Sequence, residues 1–246
     1  MNEEQAWTLL HEFAREASSI DPSRIKAIIA IGSLPGGYYR QGQSDLDVVI
    51  IMADANQASG FAKTNFLTAI RETTSKFQSC CDEETKLEAI LVSESDLNAT
   101  NDEGFLLNPQ LNARIKLQGK ILCGGYDLGL VPMPSPRDLL NEFRQNETRD
   151  MSDGEAQDTQ HDPSGLIKYA FYLIRSYLSI VHSVFDFNKL TLLDTYKKHT
   201  PLYEDETFFE LINKSLTGEQ LDPQKIAELN THVNNLRLKI TSQLRL

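Results

Sequence analysis

Residues 27–52 read AIIAIGSLPGGYYRQGQSDLDVVIIM. The opening run, Ala27 to Ile31, is short and apolar, the form of a strand buried on both faces. It stops at Gly32-Ser33. A glycine-rich loop follows, Leu34 to Gln43. Ser44-Asp45-Leu46-Asp47 then opens a second apolar run, Val48 to Met52. Two strands therefore flank a loop, with two carboxylates at the head of the second strand.

Side chains in a strand alternate between faces, so Asp45 and Asp47 point to one side and Leu46 to the core. Two hard carboxylates on one face suit Mg²⁺, which takes oxygen ligands and shares them with substrate phosphates. The amides of a Gly-Ser turn approach a polyphosphate closely, because glycine has no Cβ in the way. A phosphate cradle and a metal-ligand pair joined by a short loop are what nucleotidyl transfer requires.

Gly32-Ser33, a loop, and Ser44-Asp45-Leu46-Asp47 leading into a strand resemble the signature of the polymerase-β-type nucleotidyltransferase superfamily. The resemblance implies a third carboxylate on a later strand. Thr85 to Val92, TKLEAILV, reads as that strand and supplies Glu88. It also implies a mixed α/β sheet with helices for the first half of the chain.

A chain of 246 residues holds one large domain or two smaller ones. With 40% hydrophobic and 24% charged residues it is ordinary globular material. The net charge of −11 argues against a nucleic-acid backbone as main partner and agrees with a cationic one. Cys80, Cys81 and Cys123 form no metal-binding spacing, which predicts a reducing, cytoplasmic setting and no structural zinc. The start, Met1 to Gln5, has neither the basic nor the apolar region of a signal peptide.

Apolar spacing predicts a helix over 3–18 and another over Phe61 to Phe77, which joins the Asp45/Asp47 strand to the Glu88 strand. Glu94 to Asn108 reads as polar loop, anchored by Phe105-Leu106-Leu107. Pro109 to Leu122 reads as a helix stopped by Gly124-Gly125. Val131 to Pro136, with three prolines at alternate positions, is a stiff connector. It predicts two domains, 1–132 and 133–246, the second opening on a helix capped by Ser135. Residues 147–164 read as a long acidic loop. Leu166 to Phe185 is a core helix, too interrupted by charge to span a membrane. Thr191 to Lys198, Glu206 to Ser215 and Pro223 to Leu244, with Gly218 as a stop, complete an all-α bundle.

This order of domains resembles the streptomycin/spectinomycin adenylyltransferases. That family implies ATP as co-substrate, Mg²⁺, and a small-molecule hydroxyl acceptor, with an aminoglycoside as the candidate. It implies Asp45 and Asp47 as metal ligands, Glu88 as general base or third metal ligand, and Gly32, Ser33 and Ser44 near the phosphates. Arg175 and Lys189 fall near positions from which the family's helical domain offers positive charge to ATP. From its own sequence context, Arg175 pairs with either a buried carboxylate or a triphosphate. The family's drug pocket uses acidic and tryptophan side chains, whereas Trp7 is the only tryptophan here and Ser164-Gly165 stand near the acidic position. Nucleotidyl transfer thus carries over better than the drug. Two rival readings share the motif: a protein-adenylylating, antitoxin-like enzyme, and a non-catalytic nucleotide-binding regulator.

Overall fold

The computed structural model describes residues 1–54, 60–98, 100–101, 104–105, 108–152, 163–200, 206–217 and 219–244. The chain divides into two compact units, Met1–Pro134 and Ser135–Leu246.

The first unit opens with α1 (Glu3–Ile20), started by a reciprocal cap in which the Asn2 and Gln5 side chains each accept from the other's amide at 2.9 Å. Next come β1 (Ile25–Ile31), β2 (Leu46–Met52), α2 (Gly60–Gln78) and β3 (Leu87–Ser93). A short α3 (Glu94–Asn98), the paired strands β4 (Thr100–Asn101) and β5 (Gly104–Phe105), α4 (Pro109–Gln118) and β6 (Lys120–Gly124) follow.

The main sheet has the order β3-β2-β1-β6. β1 runs antiparallel to β2 and β6, while β2 and β3 are parallel, so α2 is their crossover. On one face Ile28, Ala30, Val48, Ile50 and Leu87 pack with Leu10 and Phe13 of α1 and Ile70 of α2. On the other, Ala27, Ile29, Ile31, Val49 and Ile51 meet Leu97 of α3, Ile115 of α4 and Val131. Two covered faces are why β1 and β2 read as unbroken apolar runs.

Three expectations change. The sequence predicts one helix over 109–122, but α4 ends at Gln118 and Lys120–Gly124 is an edge strand against β1. Gly119 turns the backbone to an extended conformation while its amide donates to the Ile115 carbonyl at 2.9 Å, and a side chain there would meet that carbonyl at 2.3 Å. Helical spacing cannot separate a three-residue apolar run, Ile121 to Cys123, from a strand; pairing with β1 decides it. Gly124-Gly125 accordingly closes a strand. The stretch 94–108 holds α3, β4 and β5 besides loop.

The second unit contains α5 (Pro136–Ser152), α6 (Pro163–His182), α7 (Lys189–His199), α8 (Glu206–Leu216) and α9 (Pro223–Gln243). One apolar cluster draws on all five, including Phe143, Phe171, Ile174, Leu178, Tyr196, Phe208, Leu229 and Leu236. Ser135 caps α5, its hydroxyl accepting from the Asp138 amide at 3.2 Å, and Asp222 caps α9. The third change lies here. Glu147 is not in an acidic loop: it belongs to α5 and is only 7% exposed. Its carboxylate accepts from Tyr169 Oη at 2.7 Å and from Arg237 Nε at 2.6 Å. That arginine is 90 residues away, beyond any local pattern. Residues 153–162, Leu106-Leu107, Gly218 and the side chains of Phe61 and Phe105 lie outside the described part. Among the described residues no helix is long and apolar enough to cross a membrane. The whole is an α/β fold, a mixed sheet with helices followed by an all-helical region.

Candidate active site

Strand directions bring the motif residues to one edge of the sheet. Because β1 and β2 are antiparallel, the end of β1 lies beside the head of β2, with Ile31 opposite Asp47. Because β2 and β3 are parallel, their heads coincide, with Asp47 opposite Glu88. Asp47 and Glu88 extend the face carrying Ile31, Val49 and Ile51 beyond its apolar part. Asp47 is half-buried; Asp45 and Glu88 are exposed.

Gly32 sits against Asp47. Its φ is +86°, in the left-handed region, and a Cβ added to it would lie 2.6 Å from Asp47 Oδ2. Glycine is required twice over, by conformation and by space. Beyond it the chain winds on itself: Gly36 N donates to Gly32 O at 3.1 Å, and Tyr38 N to Ser33 O at 3.0 Å. Leu34, 3% exposed, pins this turn to the core. A turn wound this way leaves its leading amides, those of Ser33 and Leu34, without an acceptor inside the turn. Such amides are anion-binding groups.

The rest of the loop is closed by Ser44, whose hydroxyl accepts from Arg40 N at 3.0 Å while its amide donates to Arg40 O at 3.0 Å. Asp45 Oδ1 accepts from Lys86 N at 3.4 Å, and Leu46 N donates to Lys86 O at 2.7 Å, which ties the head of β2 to that of β3. Gln78 at the end of α2 clamps the approach to Glu88: its amide nitrogen donates to Thr85 O at 3.0 Å, and its oxygen accepts from Leu87 N at 2.6 Å. Neither Gln78 nor Lys86 carries a signal in the local sequence.

Asp45 and Asp47, with Glu88 in register with Asp47, are hard oxygen donors of the kind Mg²⁺ takes. Among the described residues no group of three or more His, Cys, Asp or Glu side chains forms a metal cage. Mg²⁺ does not need one, since one or two carboxylates suffice when phosphates complete its shell.

Arg175 and Lys189 belong to the second unit. The Arg175 guanidinium stands over the Phe187 ring at 5.6 Å, a cation–π arrangement. Lys189 is exposed and begins α7 just after its cap, Asn188. Trp7 lies under Lys120 Nζ at 4.2 Å, inside the first unit.

No protein-family model matches the chain, and no curated protein sequence matches it. Solved structures do. The spectinomycin adenyltransferase AAD(9) from Enterococcus faecialis, crystallised with ATP and spectinomycin, aligns with a TM-score of 0.59 at 14% identity. The alignment covers 96% of this chain and 99% of that one. A toxin–antitoxin structure with AMP-PNP matches at 19% identity and TM-score 0.28, over 64% of this chain and 94% of that chain. A mutant of the toxin–antitoxin MntA-HpeT matches at 17% identity and TM-score 0.27, over the same shares. At these identities likeness speaks for fold, and of these three the first alignment is close enough to do so. The chain has a nucleotidyltransferase-like fold over nearly its whole length.

Proposed function

We propose that this protein transfers AMP from ATP to a hydroxyl of a small molecule, with an aminoglycoside as the first acceptor to test. One observation carries the reading. Gly32 stands against Asp47, Asp47 is in register with Glu88, and Asp45 accepts from the Lys86 amide beside them, in a fold shared along its length with a spectinomycin adenyltransferase.

The roles follow from position. The Ser33 and Leu34 amides hold the outer phosphates, and Gly32 lets them approach Asp47. Asp45 and Asp47 would hold Mg²⁺, which when bound supplies positive charge to the phosphates and to the transferring phosphoryl group. Glu88, exposed at the head of an edge strand, takes the proton of the acceptor hydroxyl. The hydroxyl oxygen bonds to the α-phosphorus, the bond to the β-phosphate bridging oxygen breaks, and pyrophosphate leaves. The first unit is the nucleotidyltransferase domain in this reading, and the second the helical domain.

The test is a mass spectrum of spectinomycin and streptomycin after incubation with enzyme, ATP and Mg²⁺. The expected product is an AMP adduct of at least one drug, absent with Asp47→Asn. Adduct formation at the wild-type rate by a folded Asp47→Asn protein would overturn the mechanism.

A further inference from the structure

Lys86 stands at the head of β3, two residues before Glu88. Leu87 between them is buried, and Lys86 and Glu88 are both exposed, so the two share the outward face. The Lys86 backbone is held on both sides of its peptide: the carbonyl accepts from Leu46 N and the amide donates to Asp45 Oδ1. Its backbone is therefore fixed beside Asp45, which immediately precedes β2, and two residues before Glu88 of β3.

Four other lysines of the first unit are engaged elsewhere. Lys26 pairs with Glu94 at 3.3 Å, and Lys76 with Glu16 at 2.6 Å. Lys116 donates to the carbonyls of Gly129 and Val131, and Lys120 covers the Trp7 ring. Among the described residues the Lys86 ammonium makes no comparable contact; its bonds are backbone bonds.

A nucleoside triphosphate is a polyanion, and Asp45, Asp47 and Glu88 repel it. A cation on a stem anchored beside them offsets part of that repulsion. The attacked phosphorus must lie within reach both of a hydroxyl served by Glu88 on β3 and of phosphates cradled at the end of β1. That places it over Asp47 on the strand between them. Lys86 starts about one strand spacing, ~4.8 Å, from that strand and has a four-carbon stem to extend toward it.

We propose that Lys86 is a nucleotide-binding residue whose ammonium donates to the α-phosphate of the bound nucleoside triphosphate. The inference rests on the nucleotidyl-transfer reading of the site. Titration calorimetry with Mg·ATP tests it on the full chain. Lys86→Gln is expected to weaken binding about tenfold, the worth of one charge-assisted hydrogen bond. Lys86→Glu should weaken it further, and Lys86→Arg should stay within about threefold of wild type, keeping the charge. The loss in Lys86→Gln should shrink as salt is raised, which a packing defect would not do. Wild-type affinity in both Lys86→Gln and Lys86→Glu would overturn the assignment while leaving the site reading intact. Failure of the wild-type protein itself to bind Mg·ATP would overturn the site reading, and this inference with it.

Discussion

Gly32 concentrates the demands of the site in one residue. Its positive φ and the nearness of Asp47 Oδ2 leave no room for a side chain. Gly32→Ala should destabilise the first unit by about 1–3 kcal/mol, from backbone strain and the displaced carboxylate. It should cut turnover by at least about tenfold, because Asp47 must move. Urea unfolding and steady-state rates measure the two effects separately. A variant with wild-type stability and rate would remove Gly32 from the account. At this scale part of the site is legible in sequence. Two aspartates at alternate positions in front of an apolar run place themselves on one strand face, and glycine after a strand marks a turn. Lys86 is not legible, because only the pairing of β2 with β3 sets it beside Asp45, and Gln78 is not, because its bonds to Thr85 and Leu87 depend on how the chain turns back after α2.

At the scale of elements, long periodic segments announce themselves and short ones do not. The buried strands β1 and β2 and the core helix α6 have composition enough to be recognised. β6 is a short run after Gly119, and only its pairing with β1 distinguishes it from a helix end. Glu147 is the counterpart in the second unit. A glutamate in a polar stretch reads as solvated, yet Tyr169 and Arg237 draw it into a buried network joining α5, α6 and α9. Burial and the Glu147 carboxylate hold the Tyr169 hydroxyl far above its ordinary pKa, so it remains a donor across the working range. Glu147→Ala should destabilise the helical unit by about 2–3 kcal/mol; the partial exposure of Arg237 keeps the cost below that of a fully buried pair. A melting temperature equal to wild type would show that the network contributes nothing.

At the scale of the molecule, one of the two units carries a histidine that answers to pH. In the second, His182 closes α6 with its ring 5.1 Å from that of His199 and 5.5 Å from Tyr177. Burial, and then the neighbouring His199, hold the His182 imidazole below its ordinary value. The unfolded chain therefore takes up this proton more readily than the folded one. The stability His182 contributes is complete above the unfolded value, about 6.5, and declines as pH falls from there toward the folded value. The melting temperature of the helical unit should drop as pH falls below about 6.5, and His182→Asn should flatten that slope. An unchanged slope in the variant would assign the acid sensitivity to other groups. The fold is legible at this scale from the order of patterns, strand–loop–strand, helix, strand, then helices. The acceptor is not, since a drug pocket is made of side chains that no short motif gathers.

The proposed nucleotidyl transfer at the sheet edge is tested by pyrophosphate release from ATP and Mg²⁺ with a panel of aminoglycosides that includes streptomycin and spectinomycin, comparing wild type with Asp47→Asn. Acceptor-dependent release by the wild type and background release by a folded Asp47→Asn protein are expected. Release unaffected by Asp47→Asn, or no release with any acceptor from a protein that also fails to bind Mg·ATP, would contradict it.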